Sequence, residues 1–370
     1  MNVPLSVLDL SPVSQGSDAA TALRNSVDLA QRAEQWGYRR YWLAEHHFVA
    51  VASTVPALVI AQVAAATSRI RVGAGAVQVA STTAAAVVES FGILDALYPG
   101  RIDLGLGRTG HRIRDRLAGN EKKPEPAPAR DVDGLFIPQP PAEFGIKDNP
   151  KLRATVATLQ QPGAQIPDFE QQVADIQAFL DGTYVSPEGV ALHIRPGEGA
   201  DLPLWLFGSS KGESAQVAAR RGLPFVASYH TTPWSTLEAV EAYRDAFRPS
   251  SALTQPYVIV SADAVAADDE QTARHLTSTF GQWVHSIRSG RGAIPYPNPD
   301  DAQPLTHEER QQVEDRVATQ FVGDAGQVVE RLDALARVTG ADELVITSIT
   351  HRHEDRLRSY ELVAKEWGLI

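Results

Sequence analysis

Apolar residues come in two alternating patterns, short continuous runs and longer stretches spaced by three and four. The run at 5–9 is short and mostly apolar, so it reads as a strand. Ala20, Leu23, Val27, Ala30 and Ala33 follow at helical spacing, with Ser17 or Asp18 placed to cap the start and Gly37 at the C′ position. The same rhythm predicts strands at 41–44, 70–79 and 102–106, separated by helices over 55–67 and 83–97, the second of them stopped by Pro99-Gly100. It resumes with a helix over 168–181, a hairpin over 184–194 and strands at 204–207, 225–228, 257–262 and 344–347. Helices are expected over 213–221, 234–247, 268–288, 306–319, 325–338 and 354–366.

Strands apolar on both faces belong to parallel sheets, and eight of them alternating with helices point to an α/β fold, a (β/α)8 TIM barrel. A doubly wound open sheet would normally carry a phosphate loop after its first strand, and Ser11-Pro12-Val13-Ser14-Gln15-Gly16 is not one. Residues 120–167 interrupt the rhythm with nine of the 24 prolines. Regular helix and central strand are not expected there. The segment 110–167 is therefore read as an insertion or lid after strand four, within one barrel domain spanning 1–370.

Composition narrows the function. The chain of 370 residues has 34 Lys and Arg against 45 Asp and Glu, a net charge of −11, which argues against nucleic-acid partners. With 43% hydrophobic and 21% charged residues it buries a substantial core. It has no cysteine, so disulfides, thiolate zinc sites and thiol nucleophiles are excluded. The start of the chain has no basic leader, and the longest uncharged stretch, 46–68, is broken by Ser53, Thr54, Pro56 and Gln62. No membrane association is expected, and the expected location is the cytoplasm.

In a barrel the chemistry gathers where strands end, and four ends stand out. Strand two ends in Glu45-His46-His47, a set suited to acid/base work or, with more ligands, to a metal. The plainer reading is one histidine facing the pore and one packed on a neighbouring loop. His230 and His351 are the available extra ligands, but strands one and eight carry no His-x-His or Asp pattern, and no metal is expected. Strand three carries Gly73-Ala74-Gly75-Ala76, which either fits a narrow mouth or lets a flat ligand lie on bare backbone. Strand four ends in Gly105-Leu106-Gly107-Arg108, whose arginine faces either an anion or solvent. Strand five ends in Gly208-Ser209-Ser210-Lys211-Gly212 just before a helix, a phosphate-binding arrangement or an ordinary N-cap.

These ends occur together with Leu5-Ser6-Val7-Leu8-Asp9, Tyr41-Trp42-Leu43-Ala44-Glu45-His46-His47, the block from Tyr98-Pro99-Gly100-Arg101 to Gly105-Leu106-Gly107-Arg108, Leu206-Phe207-Gly208-Ser209-Ser210, Gly222-Leu223-Pro224-Phe225 and Arg358-Ser359-Tyr360-Glu361-Leu362. In these blocks, over about 3–110 and 168–368, the chain resembles the bacterial luciferase-like flavin-dependent monooxygenases, most closely their single-chain alkanal-monooxygenase-like branch. The resemblance implies a TIM barrel that takes reduced FMN from a separate NAD(P)H:flavin reductase and uses O2 to oxygenate a small organic substrate through a C4a-hydroperoxyflavin. It implies that His46 is the active-site base, with Glu45 and His47 around it. It places a non-prolyl cis peptide at Gly75-Ala76 behind the flavin ring. Arg108, Gly208, Ser209 and Ser210, with Lys211 as a possible helper, would hold the phosphate.

Two departures stand out, an extra residue in the turn Lys211-Gly212-Glu213 and a longer, more proline-rich 110–167 segment. An enzyme using the deazaflavin F420 is the alternative on the same barrel, kept open by Arg112, Arg114 and Arg116; a non-catalytic flavin-binding protein is another. The resemblance also implies a homodimer through the helices that carry Ala57, Ala61, Ala64, Ala65 and Ala66, and Ala84, Ala85 and Ala86.

Overall fold

The computed structural model describes residues 2–118, 127–141 and 149–370. Eight strands form a closed parallel barrel: β1 (Leu5–Asp9), β2 (Arg40–Leu43), β3 (Arg71–Gln78), β4 (Ile102–Gly107), β5 (Leu204–Gly208), β6 (Phe225–Ser228), β7 (Val258–Ala267) and β8 (Glu343–Thr347). β6 pairs with β7, β7 with β8 and β8 with β1, which closes the ring. The expected fold is therefore present. Every residue of β1, β2 and β7 is buried, so these strands carry apolar residues on both faces. No helix among the described residues is long and apolar enough to cross a membrane.

The helix ends follow their local chemistry. The helix Ala19–Gln35 (α1) starts where the Asp18 carboxylate accepts the Thr21 N–H at 2.7 Å. It ends at Gly37, whose φ of 80° suits the left-handed C′ position. The helices Pro56–Ala66 (α2) and Ala84–Leu97 (α3) cover β3 and β4.

Several expected elements are corrected. The proline-rich segment does contain regular structure. Arg130–Val132 and Leu135–Ile137 pair as a hairpin whose Asp133-Gly134 turn has positive φ at both positions. The helix Thr109–Leu117 (α4) follows β4, and the helix Pro150–Thr158 (α5) begins with its proline in the first turn, where no N–H is needed. Pro124 and Pro126 lie outside the described residues. The 184–194 hairpin reduces to one antiparallel bridge, Val185 to Ala191. The helix expected over 268–288 is two, Glu270–Leu276 and Phe280–Arg288, and that over 306–319 is also two, His307–Gln311 and Glu314–Thr319. A short strand, Phe321–Asp324, extends the sheet beside the second half of β7.

The strand starts meet in a buried polar plug. Arg40 bonds to Asp103 and Glu343, Trp205 donates to Asp103 at 3.1 Å, and Tyr257 donates to Glu343 at 3.1 Å. This end of the barrel is filled, so ligand access is left to the opposite end.

Candidate active site

Residues on or just past all eight strands line a cavity of about 350 Å3, within the usual range for a small-molecule site. Its floor is β3 and β4, where Gly75, Ala76 and Gly107 offer nothing larger than a methyl group. The Gly75-Ala76 peptide is cis, as the resemblance implied, and the β3–β4 register shifts between Ala74 and Val77. A Cβ on Gly75 would meet Leu8, Trp42 and Phe207 at 3.1–3.2 Å, and one on Gly105 would collide with the Ala74 carbonyl. These glycines let two strands and an aromatic layer approach closely below a flat surface.

His46 opens into this cavity from the end of β2, and its backbone N–H is anchored on the Ser53 carbonyl at 3.1 Å. Burial among the cavity walls lowers its pKa below 6.5; Glu45 opposes the shift and His47 adds to it. Glu45 does not reach for His46. Its carboxylate meets His47 Nε2 at 2.8 Å and accepts the Gln78 N–H at 3.1 Å, while Gln78 Nε2 donates to the Glu45 carbonyl at 2.7 Å. Glu45 therefore clamps the loop after β2 to β3, and His47 turns away into a second chamber.

That outer chamber, about 320 Å3, lies between the loop after β2, α4 and α5. His46, Gln78, Thr109 and Arg112 line both cavities, so they mark the junction between the two.

The turn after β5 forms the far end of the inner cavity. The Gly212 N–H donates to Ser210 Oγ at 3.3 Å, and the helix Glu213–Arg220 begins immediately after. Ser209 Oγ accepts a bond from Arg112 at 2.7 Å, while the Ser209 carbonyl accepts from Ser235 at 2.6 Å and Thr232 at 3.0 Å. The turn is thus fixed from α4 and from the segment after β6, and it points hydroxyls and a helix N-terminus into the cavity. Arg108 lines the same end but is engaged by two carboxylates, Glu213 and Asp115, the latter at 2.5 Å. Lys211 projects outward to Glu238 at 3.4 Å and is exposed. The guanidinium on the serine turn is therefore Arg112.

His230 stands at the end of β6 on the same cavity as His46, with Nδ1 2.5 Å from Ser261 Oγ. Burial, Arg316 and His46 push its pKa down to about 3, so it is neutral at any working pH. His351 lies outside, on the Gln15 carbonyl at 2.9 Å. Among the described residues, no group of three or more histidines or carboxylates is arranged to hold a metal. The strand-end signal found His46 and the serine turn. It did not assign Arg112, Gln78 or His230, whose partners lie on other strands.

The sequence pattern of the luciferase-like monooxygenases matches residues 3–132 and 176–353. An uncharacterized protein of Bacillus subtilis, YvbT, is 37% identical over 98% of this chain and 96% of its own. A luciferase-like monooxygenase of Escherichia coli is 34% identical over 97% of this chain and 96% of its own. The structure of apo-MsnO8 superposes with a TM-score of 0.77 at 30% identity, covering 100% of this chain and 99% of that one. Structural neighbours at 18% and 12% identity include the FMN complex of a 3,6-diketocamphane monooxygenase and an F420-dependent alcohol dehydrogenase, with TM-scores of 0.60 and 0.58. At that distance they show the shared fold alone.

Proposed function

As the chain belongs to the luciferase-like monooxygenases, a family of flavin-dependent enzymes, we propose that it binds reduced FMN supplied by a separate NAD(P)H:flavin reductase and oxygenates a small organic molecule with O2. One observation carries the reading. His46 stands at the junction of a flat-floored cavity, which ends in a hydroxyl-rich helix start, and a second chamber large enough for a substrate. The residues fit the cofactor: bare backbone for a planar ring, and Ser209, Ser210 and Arg112 for a phosphate. Bound reduced FMN supplies the activation of O2 and the delivery of one oxygen atom.

The chain's own residues do the rest. The floor orients the ring, Leu8, Phe207 and Val226 exclude water, and Gln78 fixes the loop that carries His46. The neutral imidazole of His46 accepts and returns a proton at the junction. Arg108, between Glu213 and Asp115, braces the serine turn.

The test is anaerobic titration with reduced FMN and reduced F420, followed by mixing with O2. Tight binding of reduced FMN and reoxidation by O2 are expected. Binding of the deazaflavin in its place would move the chain to hydride transfer. Flavin binding without substrate oxygenation, for any substrate tried alongside an active relative, would favour a binding protein. Arg112→Ala should weaken FMN by about 10–100-fold, the size of a charge-assisted bond, and riboflavin by much less. Equal losses for both flavins would remove Arg112 from the phosphate.

The homodimer is likewise a proposal, and the surface favours a particular face. Ala64 turns inward to the core, while Leu58 on α2 and Ile93 and Leu97 on α3 are 68%, 49% and 64% exposed. The outward apolar face is thus carried by large side chains more than by the alanines. A stable pair burying at least ~1,200 Å2 would cover them. Leu58→Arg with Leu97→Arg should convert a dimer into a monomer in light scattering. A wild-type monomer at micromolar concentration would end the proposal.

A further inference from the structure

The flavin reading leaves the middle of the cofactor without a partner. The floor of β3 and β4 takes the ring, and the serine turn after β5 takes the phosphate. Between them a flavin nucleotide carries the ribityl chain, whose hydroxyls lose water when the cavity fills. A hydroxyl buried there without a protein partner weakens binding.

The wall beside the serine turn is built by β6 and β7. Ser228 and Ser261 are register partners on these strands, and both line the cavity together with His230 and Thr231. The loop after β6 is set against the phosphate end, because Thr232 Oγ1 donates to the Ser209 carbonyl and to the Ser228 carbonyl, each at 3.0 Å. His230 lies on this loop and is therefore held close to the turn.

The hydroxyls of the wall are committed to one another or to backbone. Ser228 Oγ bonds to Thr231 Oγ1, and Ser261 Oγ donates to the Ala227 carbonyl at 3.3 Å and meets His230 Nδ1 at 2.5 Å. His230 is held at that one nitrogen, which Ser228 Oγ also approaches at 3.4 Å. Among the described residues nothing bonds to its Nε2. The imidazole is thus neutral, fixed in orientation by Ser261, and open on one polar edge.

We propose that His230 is a positioning residue for the flavin, its Nε2 hydrogen-bonded to a ribityl hydroxyl. A hydroxyl both donates and accepts, so it suits either neutral tautomer of the ring. The assignment rests on the flavin reading and supplies the partner which that reading lacks. A neutral imidazole serves FMN and riboflavin equally, whereas Arg112 serves the phosphate of FMN alone.

Three reduced flavins separate the parts of the cofactor: FMN, riboflavin, which lacks the phosphate, and lumiflavin, which has a methyl group in place of the ribityl chain. Anaerobic calorimetric titration of the full chain with each is the test. His230→Phe keeps a flat ring and removes both nitrogens. It should lower FMN and riboflavin affinity alike by about 5–20-fold and lumiflavin affinity by less than about twofold. His230→Gln restores a donor and an acceptor and should recover most of the loss. Ser261→Ala leaves the imidazole but removes its anchor, and should give the same order among the flavins at about 2–5-fold. That variant decides the matter where the phenylalanine chain does not fold. Equal losses for lumiflavin and FMN would make His230 a residue of the ring pocket or of the fold and overturn the proposal. Unchanged riboflavin affinity in the variants would overturn it as well, and would leave the flavin reading standing. A wild-type chain that binds none of the three flavins would remove the flavin reading itself.

Discussion

His46→Ala should lower substrate oxygenation by about 10²–10⁴-fold, the contribution of a positioned acid or base, with flavin affinity changed by no more than about threefold. The split follows from where the groups lie. The flavin would be held by the glycine-lined floor and by the turn at Ser209 and Ser210, and His46 belongs to neither. Its ring stands at the junction of the two chambers, where the reacting atoms would meet on the proposed reading. Burial holds its pKa below the usual 6.5, with Glu45 pulling it back up and His47 pushing it further down. The base form is therefore already dominant at neutral pH. The wild-type rate should rise through a pKa below 6.5 and stay flat above it. His230, pushed down to about 3, cannot produce that limb. The alanine variant should lose the limb together with the rate. Equal losses in turnover and flavin affinity would make His46 a structural residue, and an unchanged limb would assign the titration elsewhere.

The barrel is legible because each strand is buried on both sides and each helix is punctuated locally. Asp18 and Gly37 mark the ends of α1 from their own side chains and backbone. Where the reading fails, a distant residue decides. Asp263 looks like the end of an apolar run at 262, but it lies inside β7, paired with Arg316, 53 positions away, at 2.9 Å. The continuation past Asp263 gives Phe321–Asp324 its partner. Proline density misleads for a related reason: Pro150 is harmful in a helix interior and harmless in the first turn, and only the position of Asn149 as the cap tells which applies.

The site divides in the same way. His46 and the Ser209–Ser210 pair sit just past strand ends, which the fold alone marks, and Gly75 shows as a small residue inside β3. Arg108 was the natural candidate for an anion from its place after β4. Its guanidinium is taken by Glu213, 105 residues on, and by Asp115. Arg112 replaces it on the serine turn through Ser209, 97 residues on. His230 is set by Ser261 on the neighbouring strand. None of these pairings has a sequence period.

The largest stability loss is expected at Arg356. Its guanidinium reaches Asp9 at 2.6 Å and the Ser348 carbonyl at 2.9 Å, with the whole pair buried. Asp9 also accepts from the Tyr41 hydroxyl at 2.5 Å and the Ser11 N–H at 2.7 Å. The network ties the end of β1, which leads directly to Leu10, and Tyr41 of β2 to the last helix, His353–Trp367. Arg356→Met fills the space but leaves a buried carboxylate without its cation, which costs about 3–5 kcal/mol at neutral pH. The sign of the pH dependence separates that cause from lost packing. In the wild type, burial raises the Asp9 pKa, but Arg356 and the hydroxyl donors outweigh it, so the carboxyl is held below its usual value. Its contribution is present above about pH 4 and lost only as pH falls through the lower folded value. Without Arg356 burial dominates and the folded pKa moves above the unfolded one. The variant then loses stability as pH rises from about 4 through that raised value. Urea unfolding at pH 4.5 and pH 7.5 should therefore give a deficit that widens toward neutral pH. A deficit of the same size at both would mean that Asp9 stays charged in the variant, and that the remaining donors, not Arg356, hold its charge in the barrel.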